Sequence, residues 1–74
     1  MVESKLTTAH LNVLTELDDK APAHPFEISH SFTDMQNLEA RDLLEDLVGY
    51  DLAVKLESGQ YNITNLGEEI AINY

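Results

Sequence analysis

Residues 44–64 read LEDLVGYDLAVKLESGQYNIT, and they contain the clearest structural signals of the chain. The first part has apolar residues at helical spacing, and Gly49 then supplies a residue that tolerates the left-handed conformation common at helix ends. From Leu52 onward, apolar and polar residues alternate on both sides of Ser58-Gly59, which is a turn signal. This stretch therefore predicts the end of a helix followed by a β-hairpin.

The predicted hairpin has one apolar face, which must pack on helices because a lone two-stranded hairpin is marginal in water. Thr64 follows the second strand and is a suitable N-cap for a short last helix. We expect the apolar face to consist of Leu52, Val54, Leu56, Tyr61 and Ile63, and the last helix to repeat Leu66, Ile70 and Tyr74.

A long helix precedes the hairpin, and its start has two alternatives. Thr33 and Gln36 have the spacing of a capping box, which would begin the helix at Asp34. Alternatively, a short helical turn occupies about 29–34 and the long helix begins near Gln36. In both cases its apolar face would consist of Leu38, Leu44, Leu47 and Val48.

The amino-terminal part of the chain predicts a helix over about 8–20. Thr7 is a good N-cap, and Leu6 and Leu11 have the spacing of a hydrophobic staple. Pro22 ends the helix, because proline restricts the preceding residue and cannot continue the hydrogen-bond ladder.

A chain of 74 residues has room for a single domain, here residues 1–74. Apolar and polar residues alternate in Phe26–Ser29, which predicts a short strand after the first helix. The predicted class is α+β, mostly helical. The predicted order is helix, short strand, possible short helix, long helix, β-hairpin and C-terminal helix.

Three segments carry a resemblance to a known family: VLTEL (13–17), LEDLVGYDLAV (44–54) and GQYNITNLGEEIA (59–71). They resemble the first helix, the end of the recognition helix, and the wing with its following helix in winged helix-turn-helix domains. The resemblance covers nearly the whole chain. The chain departs from the family pattern between Phe26 and Ala40, where there is little room for a full second helix and no glycine for the tight turn.

In DNA-binding members of the family, the recognition helix enters the major groove, and basic residues there and on the wing contact phosphates. The resemblance thus implies that DNA contacts would come from Gln36, Asn37, Arg41 and Lys55. The charge argues against them. The net charge is −10, with −6 of it in residues 27–51. A duplex carries one negative charge per about 1.7 Å, so it repels a carboxylate-rich surface.

The leading hypothesis is therefore a small acidic winged-helix-like module that acts through protein–protein contacts. Its long helix would present Glu39, Asp42, Glu45 and Asp46 to a basic protein partner, or would mimic a row of phosphates. The alternative is a winged-helix DNA-binding transcription regulator whose acidity is an adaptation to a high-salt cytoplasm.

Self-association is also expected, because so short a chain buries only about 60% of its unfolded surface and gains stability from an additional apolar contact. The first and last helices offer the residues for a homodimer. The candidate dimer contacts are Leu11, Ile70, Ile72 and Tyr74.

The sequence offers no support for an enzyme, a metal site or a cofactor. Cysteine is absent, and His24 and His30, with Glu27 between them, lack the spacing of a zinc site. His10 is expected at the edge of the core. The paired carboxylates are expected on a solvated face, and no segment has a signal peptide or membrane span. We therefore expect a cytoplasmic protein.

Overall fold

The computed structural model describes residues 6–73. The predicted α+β class, mostly helical, is confirmed. Two strands of the chain form an antiparallel pair in which Val54 lies opposite Asn62. In chain order, the elements are α1 (Thr8–Lys20), α2 (Pro25–Ser29), α3 (Asn37–Gly49), β1 (Ala53–Lys55), β2 (Tyr61–Ile63) and α4 (Asn65–Asn73).

One apolar core joins these elements. α1 packs against α2, α3, α4 and β2, while α3 also packs against α2 and β1. Ala23, between α1 and α2, forms a single β-bridge with Tyr61 and so adds one residue to the edge of the hairpin. The buried apolar residues are Val13, Leu14, Leu17, Ala23, Ile28, Ala40, Leu44, Leu47, Leu52, Ala53 and Tyr61.

The first helix has the bounds that the sequence predicts, and its N-terminus is closed by a reciprocal capping box. The hydroxyl oxygen of Thr7 accepts a hydrogen bond from the backbone N–H of His10. In return, Nδ1 of His10 accepts one from the backbone N–H of Thr7, at 3.1 Å. His10 thus takes the part that Glu or Gln usually has in this motif.

The predicted strand at Phe26–Ser29 is wrong, because these residues belong to α2. Pro25 stands at the first helical position, where its missing N–H and fixed φ favour a helix. The Glu27 carboxylate accepts a hydrogen bond of 2.7 Å from the His24 backbone N–H and closes the first turn. The second helix therefore exists, with five residues.

The long helix begins at Asn37 with Gln36 as N-cap, so a start near Gln36 is confirmed and a start at Asp34 is wrong. The predicted short turn also lies earlier than expected, in α2. Gly49 is the last residue of α3, and the left-handed conformation falls on Asp51 instead, with φ of 64°. Aspartate tolerates this conformation better than most residues.

The inward face of the hairpin differs from the predicted one. Leu52 and Ala53 are consecutive and both buried, whereas Val54 is exposed. The reason is that the Leu52 N–H still bonds to the Leu47 carbonyl at the end of α3, so strand alternation starts only at Ala53. Tyr61 is buried as expected. The predicted turn is present, with Gly59 at φ of 93°.

Candidate interaction surface on α3

One side of α3 packs against the core, so the side chains on its other side face solvent. Ala40, Leu44 and Leu47 are fully buried. Leu38 and Asp42 lie on the opposite side of the helix, since their positions are offset from this stripe by about half a turn. Leu38 is 58% exposed, and the Asp42 side chain is 66% exposed.

The four predicted acidic residues have unequal roles. Glu39 and Asp42 are exposed, and Asp42 lies 3.5 Å from the Arg41 guanidinium. Asp46 and Glu45 instead contact other elements of the fold, α1 and the hairpin. The outward-facing acidic pair is therefore Glu39 and Asp42, and the other two carboxylates also hold the fold together.

Asp46 connects α3 to the N-terminus of α1 through His10. His10 is 7% exposed, and its Nε2 lies 2.9 Å from Asp46 Oδ2. A backbone N–H can only donate, so Nδ1 must accept from Thr7, and Nε2 then carries the proton that is donated to Asp46. His10 is thus a satisfied histidine at the edge of the core, as the sequence predicts.

Glu45 connects α3 to the hairpin through Tyr61 and Lys55. The Tyr61 hydroxyl donates a hydrogen bond to Glu45 Oε2, and Lys55 Nζ lies 3.6 Å from the same oxygen. Burial, and then the bond to Glu45, raise the pKa of Tyr61 to about 12. The same hydrogen bond lowers the pKa of Glu45 below its usual value, because it favours the ionised carboxylate.

Alkaline pH is expected to destabilise the fold through Tyr61. The folded pKa of about 12 exceeds the ordinary value of 10.0, so the unfolded chain loses this proton first. The stabilisation is complete below the ordinary value and is lost as pH rises toward the folded pKa. At about 1.4 kcal/mol per pKa unit, a difference of two units corresponds to a loss of at most about 2.7 kcal/mol. Urea unfolding at neutral and alkaline pH measures it.

The matched control for this prediction is Tyr61→Phe, which keeps the buried ring and removes the ionisable hydroxyl. We expect its free energy of unfolding to fall less between neutral and alkaline pH than that of the unsubstituted chain. An equal fall in both proteins would assign the alkaline loss to other groups.

The residues that the winged-helix resemblance implies for DNA contact fall into two places. Gln36 and Arg41 are exposed near the start of α3. Asn37 is also at the surface, and its Oδ1 accepts a hydrogen bond of 2.5 Å from the Ser29 hydroxyl on α2. Lys55 lies on the hairpin, beside Glu45 and 5.8 Å from the Tyr61 ring centroid.

A shallow groove of about 410 Å³ runs between α2 and α3, and the sequence pattern does not predict it. Two of its walls are the side chains of Phe26, which is 50% exposed, and Leu38. The available signal was the spacing of Leu38, which departs from the stripe formed by Leu44 and Leu47. This α2–α3 groove is lined by His24, Pro25, Phe26, Asn37, Leu38 and Arg41.

The candidate dimer contacts do not form one exposed stripe among the described residues. Leu11 is half-buried, and Ile70 packs against the core of its own chain. Ile72 is 77% exposed and lies on the outward side of α4. Tyr74 lies outside the described residues. The homodimer stays a prediction.

Comparison of the chain with protein-family models, with curated proteins and with solved structures finds no match. Within residues 6–73, no helix has the length and apolar character needed to cross a membrane. That same part of the chain contains no group of three or more His, Asp or Glu side chains placed to hold a metal ion.

Proposed function

We propose that this chain is a small, acidic, non-enzymatic module of winged-helix-like architecture that binds a basic partner protein through the exposed face of α3. The order of its elements supports the architecture, since α1, α2 and α3 precede a hairpin and α4 follows it. The bridge between Ala23 and Tyr61 also attaches the segment between α1 and α2 to the hairpin. A regulatory role or mimicry of a row of phosphates would use the same face.

The main support for the proposal is the negative charge of the exposed face of α3. In a DNA-binding winged helix, this face would enter the major groove. Here Glu39 and Asp42 face solvent, Glu45 and Asp46 lie half-exposed beside them, and Arg41 is the one cation on the helix. Carboxylates on this face repel phosphates and attract Lys and Arg side chains.

The alternative is a DNA-binding transcription regulator with an acidic surface. One observation favours it: Gln36, Asn37 and Arg41, which can hydrogen-bond to base edges, all lie near the start of α3. Lys55 would add a phosphate contact only by leaving Glu45. Arg41 and Lys55 are two cations, fewer than the six to ten phosphates, roughly, that a typical binder neutralises.

Two labelled probes test the proposal in parallel titrations at low and high salt: a random-sequence DNA duplex and an oligolysine peptide. We expect the full chain to bind the peptide at low salt, to bind it less tightly as salt screens the charges, and to leave the duplex unbound. Tight duplex binding that weakens steeply as salt rises would contradict the proposal.

A charge-matched pair of variants locates the binding face. Glu39→Gln/Asp42→Asn removes the two outward carboxylates of α3, and we expect several-fold weaker peptide binding. Glu57→Gln/Glu69→Gln removes the same charge from exposed positions on the hairpin loop and α4. If both double variants weaken binding equally, net charge and not this face determines the affinity.

A further inference from the structure

We infer that the α2–α3 groove is the anchor site for the partner, and that its occupant is one apolar side chain of a cationic amphipathic helix. The Lys and Arg residues of that helix would bind the carboxylates further along α3. This inference rests on the proposed function. It adds an apolar contact to the charged one, and it specifies that the binding segment of the partner is a helix.

The apolar character of the groove comes from two side chains that lie outside the buried core. Phe26 and Leu38 are among the large hydrophobic residues that stay exposed, and neither belongs to the buried core cluster. They lie on different helices and line the same groove of about 410 Å³. Volumes of this order hold a compact apolar group, so one leucine-sized side chain fits between them.

Two contacts within the chain hold Phe26 and the two helices of the groove in place. The His24 ring stacks on Phe26 at 5.3 Å between centroids, with an angle of 13° between the ring planes. The Ser29 hydroxyl bonds to Asn37 Oδ1 and so ties α2 to the start of α3. A preformed groove requires less ordering on binding, which leaves more of the contact energy as affinity.

The carboxylates of α3 favour a cationic occupant of the groove. Asp42 follows Leu38 by one turn, so an apolar anchor and an exposed carboxylate lie along one side of α3, and the exposed Glu39 adjoins Leu38. Arg41 lies at the rim of the groove, and its guanidinium is 3.5 Å from the Asp42 carboxylate. Arg41 is the one Lys or Arg in residues 27–51, whose net charge is −6. An acidic helix would therefore be repelled by most of the charges around the groove.

Two synthetic helical peptides of equal length and equal positive charge test the inference with the full chain. One carries leucine on one face at helical spacing, and in the other every leucine is alanine, which keeps the helix and removes the anchor. We expect the leucine peptide to bind about tenfold more tightly, the ratio expected from burying most of one leucine side chain.

Variants of the groove supply the second readout. Leu38→Ala and Phe26→Ala are each expected to weaken binding of the leucine peptide several-fold and to leave binding of the alanine peptide unchanged. Leu66→Ala is the matched control, because Leu66 is a comparably exposed leucine on α4. NMR shift changes at Phe26 and Leu38 in the unsubstituted chain give the same answer without any substitution.

The possible outcomes distinguish the groove inference from the proposed function. If both peptides bind equally and Leu38→Ala changes neither, the groove inference is wrong and the proposed function stands. If neither peptide binds at low salt, the proposed function fails and the inference fails with it. If an acidic peptide with the same leucine pattern, or a DNA duplex, binds in a way that Leu38→Ala weakens, the cationic occupant is wrong.

Discussion

Replacement of Gly67 by alanine is expected to destabilise the fold by about 3 kcal/mol, the upper part of the range for overpacked sites. Gly67 is buried in α4, where a Cβ atom would overlap the Leu52 carbonyl oxygen and lie 2.8 Å from Ile63 Cγ1. That carbonyl accepts a hydrogen bond of 3.1 Å from the Thr64 N–H, so it cannot move without loosening the start of α4.

Helix propensity alone predicts the opposite sign, because alanine is favoured over glycine in a helix by about 1 kcal/mol. The steric term is larger here, since the obstructing atom belongs to the backbone. Gly49→Ala is the matched control: Gly49 ends α3, and nothing lies within 4 Å of its added Cβ. We expect Gly49→Ala to be neutral or slightly stabilising.

Urea unfolding of the three proteins measures both effects. The free energy of unfolding should fall strongly for Gly67→Ala and stay unchanged or rise for Gly49→Ala. Equal stability of the unsubstituted chain and Gly67→Ala would mean that α4 does not pack on the Leu52 carbonyl as described.

The parts of the fold that the sequence predicts correctly are those with local signals. α1 has an N-cap, an apolar stripe and a proline that ends it, and all of these lie within about 15 residues. The hairpin turn is likewise specified by Ser58-Gly59, and Thr64 caps α4 through a hydrogen bond from the Gly67 N–H to its hydroxyl oxygen. Such signals need no knowledge of the tertiary partners.

The region between α1 and α3 is where sequence reasoning fails. Four alternating residues at Phe26–Ser29 indicate a strand, but Pro25 and Glu27 form a helix start that outweighs so short a pattern. The residue that does pair with the hairpin is Ala23, and nothing in its local sequence marks it. Its pairing depends on Tyr61, which lies far along the chain.

The candidate site is predicted in part for the same reason. Charge counting correctly places the acidic residues on the outside of the long helix. It cannot show that Asp46 contacts His10, 36 residues away, or that Glu45 contacts Tyr61, 16 residues away. The groove is not predicted because the sequence places Leu38 on the apolar face of the long helix and Phe26 in a strand, and the exposure of both depends on how α2 packs against α3.

Two leucine substitutions on α3 test which of its side chains belong to the core and which to the surface. Leu44→Ala, at the buried position, is expected to lower the free energy of unfolding strongly. Leu44 is fully buried among core residues from several elements. Its truncation leaves a cavity, and we expect a loss of about 3 kcal/mol in the free energy of unfolding. In a domain whose total stability is roughly 5–15 kcal/mol, this loss shows directly in the urea midpoint.

Leu38→Ala makes the same chemical change on the same helix, and we expect it to alter stability by less than about 0.5 kcal/mol. Leu38 is more than half exposed, and alanine is the better helix former. A large loss at Leu38 would mean that this side chain supports the fold, which would remove the reason for assigning it to a partner. A small loss, together with weaker binding of the leucine peptide, assigns Leu38 to recognition, because the substitution then changes binding and not the stability of the fold.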